Sequence, residues 1–301
     1  MDRPEISILM ANYNKGEYVG QAIESVINQT FSDWELIIVD DNSSDNSVEI
    51  IEKYLKDLRI KLYRHEKNVG TTLTQVELIK NADSNIVGIL DSDDALMNNA
   101  IQEVLNVCRH KPAFNFIYTQ NYFCDEEFSI VGLGLSGKIP EGKSNLHVNR
   151  INHFKVFKKG LYLKTVGYDN KMRMAEDIDI ILKLEEVSKV YFLDKPLYYY
   201  RILKKSNTHS FKNEMINRSS TALAKLNAYK RRLNTDIPNL DKTEMAEVLF
   251  FGVFTAILAR RFKLMLKLKL ALWRINPLFL FQLKFYRLLI KKIIKIKKIK
   301  F

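Results

Sequence analysis

The sequence predicts an α/β protein in which a mostly parallel central sheet is flanked by helices and followed by a basic helical region. Apolar runs alternate with helical patterns over the first half of the chain, which is typical of parallel strands joined by helices. Polar residues follow those runs, as expected where strand ends form a ligand-binding edge. The composition then changes, because residues 260–300 contain 14 Lys or Arg and no Asp or Glu.

The length and charge of the chain indicate two regions. A chain of 301 residues suits one large domain with an appendage. We predict a domain over residues 1–215 and a helical region over 216–301, basic and amphipathic from about residue 249. Outside residues 260–300 the chain has 33 basic and 35 acidic residues, so the net charge of +12 belongs to the C-terminal region.

The elements follow one another in a regular order. Apolar runs bounded by turn residues predict strands at 6–10, 35–40, 60–64, 86–91 and 116–123. Helices are predicted between them at 16–28, 46–55, 72–81 and 98–110. The glycine-rich segment 125–152 is predicted to be a loop. The apolar segment 154–157, a helix or turn to residue 166, a helix at 176–188 and strands at 190–193 and 197–202 complete the domain.

The most informative motif is Asp91-Ser92-Asp93-Asp94, which follows the fourth predicted strand. Asp and Ser also cap helices, so a capped turn is the alternative interpretation. Three neighbouring carboxylates repel one another unless a cation or strong donors lie among them. Oxygen ligands of this kind suit Mg²⁺ or Mn²⁺, and a partly open cation takes phosphate oxygens as further ligands. The motif therefore predicts a divalent-cation site that binds a nucleotide diphosphate.

The second half of the domain contains further candidate residues. Glu176, Asp177 and Asp179 begin a helix, where the backbone dipole favours negative charge. A carboxylate near the predicted cation site would also suit general-base work on a hydroxyl. Further along, Arg201 could contact a diphosphate, and His209 is either a metal ligand or a loop histidine exposed to solvent.

Several classes of protein are excluded by missing signals. No G-x-G-x-x-G follows the first strand and no G-x-x-x-x-G-K-[ST] occurs, so a dinucleotide fold or a P-loop nucleoside triphosphatase is not expected. The chain has two cysteines, which argues against a disulfide framework. The polar N-terminal residues contain no secretory signal, and a cytoplasmic protein is predicted.

Four blocks in order resemble the inverting glycosyltransferases of family 2. They are ISILMANYN at 6–14, QTFSDWELIIVDDNS at 29–43, NVG at 68–70 and LDSDD at 90–94. Two later blocks, HFKVF at 153–157 and EDID at 176–179, resemble the branch of bacterial chondroitin-synthase-type transferases. The resemblance covers about residues 4–212 and does not identify the sugar.

This resemblance implies a GT-A nucleotide-sugar transferase fold for residues 1–215 and a role for each matched residue. Tyr13 and Asp41 would hold the nucleobase, usually uracil, and Asp91 would contact the ribose and the metal shell. Asp93 would bind Mn²⁺ or Mg²⁺ directly, and Asp177 would be the catalytic base. Glu176 and Asp179 stay open as alternatives for the base. The predicted substrate-binding residues are Tyr13, Asp41, Asn68, Asp91 and Arg201.

The expected function is inverting transfer of a sugar from a nucleotide-sugar donor, UDP-linked, to a saccharide or lipid-linked acceptor in surface polysaccharide synthesis. Transfer to polyprenyl phosphate is an alternative, because that acceptor is already an anion and needs no base. A non-catalytic protein that binds nucleotides or nucleic acid is the other alternative.

The basic C-terminal region predicts association with a membrane surface. Lys284, Arg287, Lys291, Lys295 and Lys298 are spaced by three or four residues, which would align them on one helical face. A helix needs a run of about 18–20 apolar residues to cross a bilayer, and no run in this region approaches that length. A peripheral location at the inner face of the cell membrane is therefore expected. A solvated appendage is the alternative, and no nucleic-acid partner is expected because no nucleic-acid module is visible.

Overall fold

A computed structural model describes residues 3–170, 172, 174–203 and 210–281 of the chain, without the side chains of 280 and 281. The chain divides into two compact units. The first consists of Met1–Asn170 and Ile180–Lys204, and the second of Lys171–Asp179 and Lys205–Phe301. The domain boundary after residue 215 stays a prediction.

The described residues of the first unit form nine strands in one sheet. They are β1 (Ile6–Asn12), β2 (Trp34–Asp40), β3 (Ile60–Arg64), β4 (Ile86–Ile89), β5 (Ala95–Leu96), β6 (Phe116–Cys124), β7 (Ile130–Leu133), β8 (Lys155–Lys158) and β9 (Val190–Arg201). The helices are α1 (Val19–Ile27), α2 (Ser47–Glu52), α3 (Thr71–Asn81), α4 (Ala100–His110), α5 (Asn145–Val148), α6 (Lys159–Leu163) and α7 (Glu176–Val187), which begins in the second unit and continues into the first.

The sheet has the order β3-β2-β1-β4-β8-β6-β9-β5, with β7 paired to β6. The strands β3, β2, β1 and β4 are parallel, as predicted. The other half is mixed, because β8 runs antiparallel to β4 and β6 while β9 runs parallel to β6. The two strands predicted at 190–193 and 197–202 are the single strand β9, whose pairing with β6 shifts register near Pro196.

Alternating side chains along the strands form two hydrophobic cores, one on each face of the sheet. Ile6, Ile8 and Met10 of β1 face a core that includes buried residues of α1 and α4. Leu9 points the other way, into a core with residues of α3 and α7. Because β1 to β4 are parallel, the loops that follow them lie at one edge of the sheet.

The second unit is helical in its described part. It contains α8 (Phe211–Arg231), α9 (Lys242–Leu258), α10 (Phe262–Ile275) and a 3-10 helix (Pro277–Phe281). Ser210 caps α8 by accepting a hydrogen bond from the Asn213 amide, and Asp241 forms a capping box on α9. A Cβ built on Gly252 would lie 2.4 Å from the Cβ of Ala222, so glycine is required where α9 crosses α8.

The predicted C-terminal stripe from Lys284 to Lys298 lies outside the described residues, as does His209. Within the part of the chain that the structure describes, no helix has both the length and the apolar character that crossing a membrane requires.

Candidate active site

The loop that follows β2 is held by its own hydrogen bonds. The Asp40 carboxylate is fully buried and accepts from the Asn12 side chain at 2.8 Å and from the Ser43 amide at 2.9 Å. The Ser43 hydroxyl in turn accepts from the Asn14 amide at 2.9 Å, which ties this loop to the loop after β1. Asp40 therefore has a structural role in shaping the edge of the sheet.

Asp41, the next residue, is buried and connects this edge to the start of α3. Its two carboxylate oxygens accept from the amides of Val69 and Gly70, each at 2.8 Å. Gly70 has φ 90°, a left-handed conformation that glycine adopts without strain. The Asn68 side chain donates to the Asp41 carbonyl at 3.2 Å. The structure thus brings Asn68 and Asp41 together, and their role in substrate binding stays a prediction.

A histidine bridges Asp41 to a second carboxylate. The Nδ1 of His65 lies 2.7 Å from Asp41 Oδ1, and its Nε2 lies 2.8 Å from Glu77 Oε2. Burial opposes the charged imidazolium, but the hydrogen bonds and charges of Asp41 and Glu77 outweigh it, so the pKa of His65 is raised above 6.5. Tyr13 is 48% exposed in the neighbouring loop. The contact of Tyr13 and Asp41 with a nucleobase stays a prediction.

The loop that follows β4 contains a cluster of possible metal ligands. One ligand atom from each of Asp91, Asp94 and His153 lies within 4.8 Å of the other two. His153 Nδ1 is buried, lies 4.0 Å from Asp91 Oδ2 and has no hydrogen-bond partner among the described residues. The His153 ring stacks on Tyr198 at a centroid distance of 4.6 Å. A buried nitrogen beside two carboxylates is suited to binding a cation.

Asp94 also joins the loop after β4 to β9. Its carboxylate accepts from the Tyr198 hydroxyl and from the Arg201 amide, both at 2.8 Å. The Tyr198 oxygen accepts from the Asp91 amide at 3.1 Å. Burial, followed by the charges of Asp91 and Asp93, raises the pKa of Asp94 well above the usual value for an aspartate.

Asp93 contacts a lysine rather than the three-residue cluster. Its carboxylate forms an ion pair with Lys15 Nζ, from the loop after β1. Lys15 thus offsets part of the negative charge of the loop. Asp91 lies in the cluster, and direct binding of metal by Asp93 stays a prediction.

The Arg201 guanidinium fixes the backbone of this loop. Its Nε donates to the Asp93 carbonyl at 2.8 Å, and its other nitrogens donate to the Glu126 carbonyl and the Gln21 side chain. The guanidinium also stacks on the ring of Phe128 at 3.8 Å. These contacts support a positioning role for Arg201, whereas its contact with a diphosphate stays a prediction.

Asp177 lies in the first turn of α7, in the second unit. Its side chain is exposed and accepts from the Ile178 amide at 2.7 Å, whereas Asp179 is 1% exposed. Exposure favours Asp177 over Asp179 as a group that could reach an acceptor hydroxyl. The assignment of the base stays a prediction.

Sequence reasoning assigned no role to His153, Lys15 or Tyr198. His153 opens the HFKVF block, but this block alone does not indicate that β8 and β6 bring the histidine to the end of β4. A buried histidine at the start of a strand is more often a packing residue, so the sequence offers no signal that separates the two cases.

Solved structures of low sequence identity show which fold the chain has. Residues 1-349 of TarS from S. aureus, in complex with UDP, are 18% identical with a TM-score of 0.58, and the match covers 81% of this chain and 69% of that TarS chain. The mannosyltransferase PcManGT from Pyrobaculum calidifontis, in complex with GDP-Man and Mn²⁺, is 12% identical and has a TM-score of 0.60. The match covers 92% of this chain and 82% of the PcManGT chain. The chain has the GT-A fold, as predicted.

The sequence comparison then gives the family. The Glycosyl transferase family 2 model matches residues 7–166, so the chain belongs to glycosyl transferase family 2. A chondroitin synthase from Escherichia coli is 30% identical over 206 residues, which are 68% of this chain and 30% of the synthase. The chain spans between 21% and 30% of the length of the chondroitin and hyaluronan synthases that it matches.

Proposed function

We propose that this protein transfers a sugar, with inversion at the anomeric carbon, from a UDP-linked donor to a saccharide or lipid-linked acceptor in surface polysaccharide synthesis. The observation that carries the proposal is the cluster of Asp91, Asp94 and His153 at the end of β4, on the same sheet edge as Asp41. Two comparisons support the proposal, namely the match to a chondroitin synthase and the similarity to TarS in complex with UDP.

The side chains of the cluster fit a divalent cation. Carboxylate oxygens and a neutral imidazole are ligands for Mn²⁺, and the unsatisfied Nδ1 of His153 beside Asp91 leaves a donor atom available. PcManGT is a GT-A neighbour in complex with Mn²⁺. Asp91, Asp94 and His153 would hold the ion together with the predicted ligand Asp93. A bound divalent cation supplies charge stabilisation to a departing nucleoside diphosphate.

The residues of the chain have distinct proposed tasks in the reaction. Tyr13 and Asp41 orient the nucleobase of the donor, so that the anomeric carbon of the donor sugar faces the acceptor. Asp177 accepts the proton of the acceptor hydroxyl while the hydroxyl oxygen bonds to the anomeric carbon and the bond to the diphosphate breaks. One displacement of this kind inverts the anomeric configuration. Holding both sugars in line removes an entropic part of the barrier.

A donor screen tests the reaction directly. The full chain is incubated with UDP-, GDP- and dTDP-sugars and Mn²⁺, and release of nucleoside diphosphate is measured. We expect release from a UDP-sugar, its loss on chelation of the metal, and its loss in Asp93→Ala. Unchanged release from Asp93→Ala in the presence of metal would remove Asp93 from the metal site. Absence of release from every donor, with and without acceptors, would contradict the proposal.

The assignment of the base is tested with two acceptor classes. Asp177→Asn should reduce transfer to a saccharide acceptor by about 100-fold or more, because the base is removed while the side-chain shape is kept. Glu176→Gln, one residue earlier on α7, is the matched variant and should retain transfer. If Asp177→Asn matters little with saccharides but the chain glycosylates polyprenyl phosphate, the acceptor is the lipid phosphate. If Glu176→Gln is the inactive variant, the base is Glu176.

We also propose that the enzyme works as a peripheral protein at the inner face of the cell membrane. The support is the 14 Lys or Arg residues without a carboxylate in residues 260–300. Each cation near an anionic bilayer contributes on the order of 1 kcal/mol. Lipid-linked acceptors would then be at high local concentration.

A further inference from the structure

Helix α10 has two apolar faces, and among the residues that the structure describes only one of them is packed. The packed face contains Leu264, Leu268, Ala271 and Leu272, all buried, and Leu268 lies next to Gly252 of α9. The opposite face contains four large apolar side chains that are 48–60% exposed, namely Phe262, Leu266, Leu270 and Trp273. Their spacing of four, four and three residues aligns them along one side of the helix.

Exposed cations border this apolar stripe. Lys263, Lys267 and Arg274 lie along one side of it and Lys269 lies along the other, and all four are exposed. Residues 260–281 contain no Asp or Glu. Large apolar side chains flanked by Lys and Arg are typical of helices that lie in the interface of a bilayer, with the apolar side in the acyl region and the cations among the headgroups.

We infer that the stripe of Phe262, Leu266, Leu270 and Trp273 is a docking surface for an anionic lipid bilayer. Charge complementarity selects this occupant, because cations without any carboxylate border the stripe on both sides. A second copy of the same helix would bring these cations against one another. A nucleic acid would satisfy the cations, but Leu266 and Leu270, at the centre of the stripe, cannot stack on bases.

The inference deepens the membrane part of the proposed function and names the surface through which α10 contributes to it. It rests on that proposed location and not on the transfer reaction. It concerns the described helix, so it is separate from the predicted stripe of lysines and arginine between 284 and 298. An experiment that reports on α10 itself is therefore required.

The two tryptophans of the chain make such an experiment possible. Trp34 is 1% exposed, whereas Trp273 lies in the stripe and is 60% exposed. In the full chain carrying Trp34→Phe, Trp273 is the source of indole fluorescence. Vesicles of phosphatidylcholine with phosphatidylglycerol should shift this emission to shorter wavelength, and brominated acyl chains should quench it. Vesicles of phosphatidylcholine alone should do neither, and high salt should weaken the response.

A second arrangement covers a failure of Trp34→Phe to fold. The chain with both native tryptophans is compared with Trp273→Phe, and the shift and the quenching should be present in the former and absent in the latter. If anionic vesicles sediment with the chain while the Trp273 signal is unchanged, the membrane contact lies elsewhere and the inference is wrong.

Paired substitutions measure the contribution of the stripe. Leu266→Gln with Leu270→Gln should lower partitioning to anionic vesicles by at least tenfold in the full chain. The matched control is Leu163→Gln with Val166→Gln, two exposed apolar residues of the first unit, 71% and 82% exposed, which should leave partitioning unchanged. Equal effects of the two pairs would overturn the inference.

Two further readouts separate the inference from its rivals. If Leu266→Gln with Leu270→Gln converts an oligomer into a monomer without vesicles, or abolishes binding to RNA but not to vesicles, the stripe serves another partner. Release of UDP with a water-soluble acceptor should be the same in this variant and in the native chain. Loss of lipid binding with retained UDP release is the expected result, so failure of the transferase proposal would be seen separately.

Discussion

The two acidic loops at the edge of the sheet differ in how their carboxylates are satisfied. After β2, the Asp40 carboxylate accepts from the amide and hydroxyl of Ser43 in the same loop, and the Asp41 carboxylate accepts from the amides of Val69 and Gly70. After β4, Asp91, Asp94 and His153 lie together, and a buried histidine nitrogen has no partner in the described part of the chain. The shape of the first loop is therefore held by hydrogen bonds within the protein, whereas the second loop has a nitrogen atom beside it that is left for a ligand.

This difference shows that a strand ending in aspartates does not by itself indicate a metal site. Both loops follow a buried parallel strand and both contain adjacent aspartates. What separates them is the Nδ1 of His153, which lies beside the second loop without a hydrogen-bond partner among the described residues, whereas both carboxylate oxygens of Asp41 accept from the amides of Val69 and Gly70. The following predictions test this contrast, beginning with the largest expected effect.

Asp91→Asn should abolish most metal-dependent donor turnover, with a loss of about 100-fold or more, because one anionic ligand of the cluster becomes neutral. The measurement is UDP release over a range of Mn²⁺ concentrations. Asp57→Asn, in the turn before β3, is the matched control and should behave as the native chain. If Asp91→Asn keeps both turnover and Mn²⁺ dependence, the cluster is not the metal site.

Asp41→Ala should destabilise the fold by about 2–3 kcal/mol, since the amides of Val69 and Gly70 lose their acceptor. Urea unfolding of the metal-free protein measures the change. Asp91→Asn, tested in the same way, should leave the stability nearly unchanged, because the Asp91 side chain is 45% exposed and asparagine keeps its shape. Equal losses in the two variants would remove the distinction between the loops.

The bridge that His65 forms between Asp41 and Glu77 should make the free energy of unfolding depend on pH. Its pKa is raised in the folded protein, so the stabilisation is complete below the ordinary value of 6.5 and is lost as the pH rises through the folded-state value. The free energy of unfolding of the native chain minus that of His65→Gln should therefore fall by about 1 kcal/mol between pH 6 and pH 8.

The control for this pH dependence is His110→Gln. His110 is exposed and its Nδ1 contacts the Asn106 carbonyl, away from any carboxylate of the bridge. The difference between native and His110→Gln chains should not vary with pH in the same way. A flat difference for His65→Gln would mean that Asp41 and Glu77 do not favour its charged form.

Asn68→Ala should have the smallest effect on stability, about 0.5 kcal/mol, because its exposed side chain makes one hydrogen bond to the Asp41 carbonyl. Any larger effect should appear in UDP affinity, measured by calorimetry, since Asn68 is a predicted substrate-binding residue. Loss of stability comparable to that of Asp41→Ala would assign Asn68 to the fold and not to the donor site.

The parallel half of the sheet was predictable because its signal is local. The strands β1 to β4 are apolar runs of four to seven residues bounded by polar turns, and the predicted boundaries differ from the observed ones by at most two residues. The other half depends on pairing between distant segments. The two-residue strand β5 is too short to leave a pattern, and the exposed β7 has apolar residues on both faces.

The same distinction applies to the candidate site. Asp41, Asp91 and Asp93 follow predicted strands, and the parallel topology brings their loops to one edge. His153 lies two residues before β8, and Tyr198 lies in β9. The neighbours of these two strands are set by long-range pairing and not by any local periodicity. Lys15 and the contacts of Arg201 are also invisible in the sequence, because a basic residue after a strand has no fixed partner.

The contacts of the Arg201 guanidinium affect the thermodynamics of the proposed binding of a divalent cation. By bonding the Asp93 carbonyl and stacking on Phe128, it immobilises the peptide backbone from which the cluster carboxylates project. The conformational entropy of that segment is therefore lost when the polypeptide folds rather than when the ion arrives. Association with the ion should accordingly be fast and show little unfavourable entropy from ordering the loop.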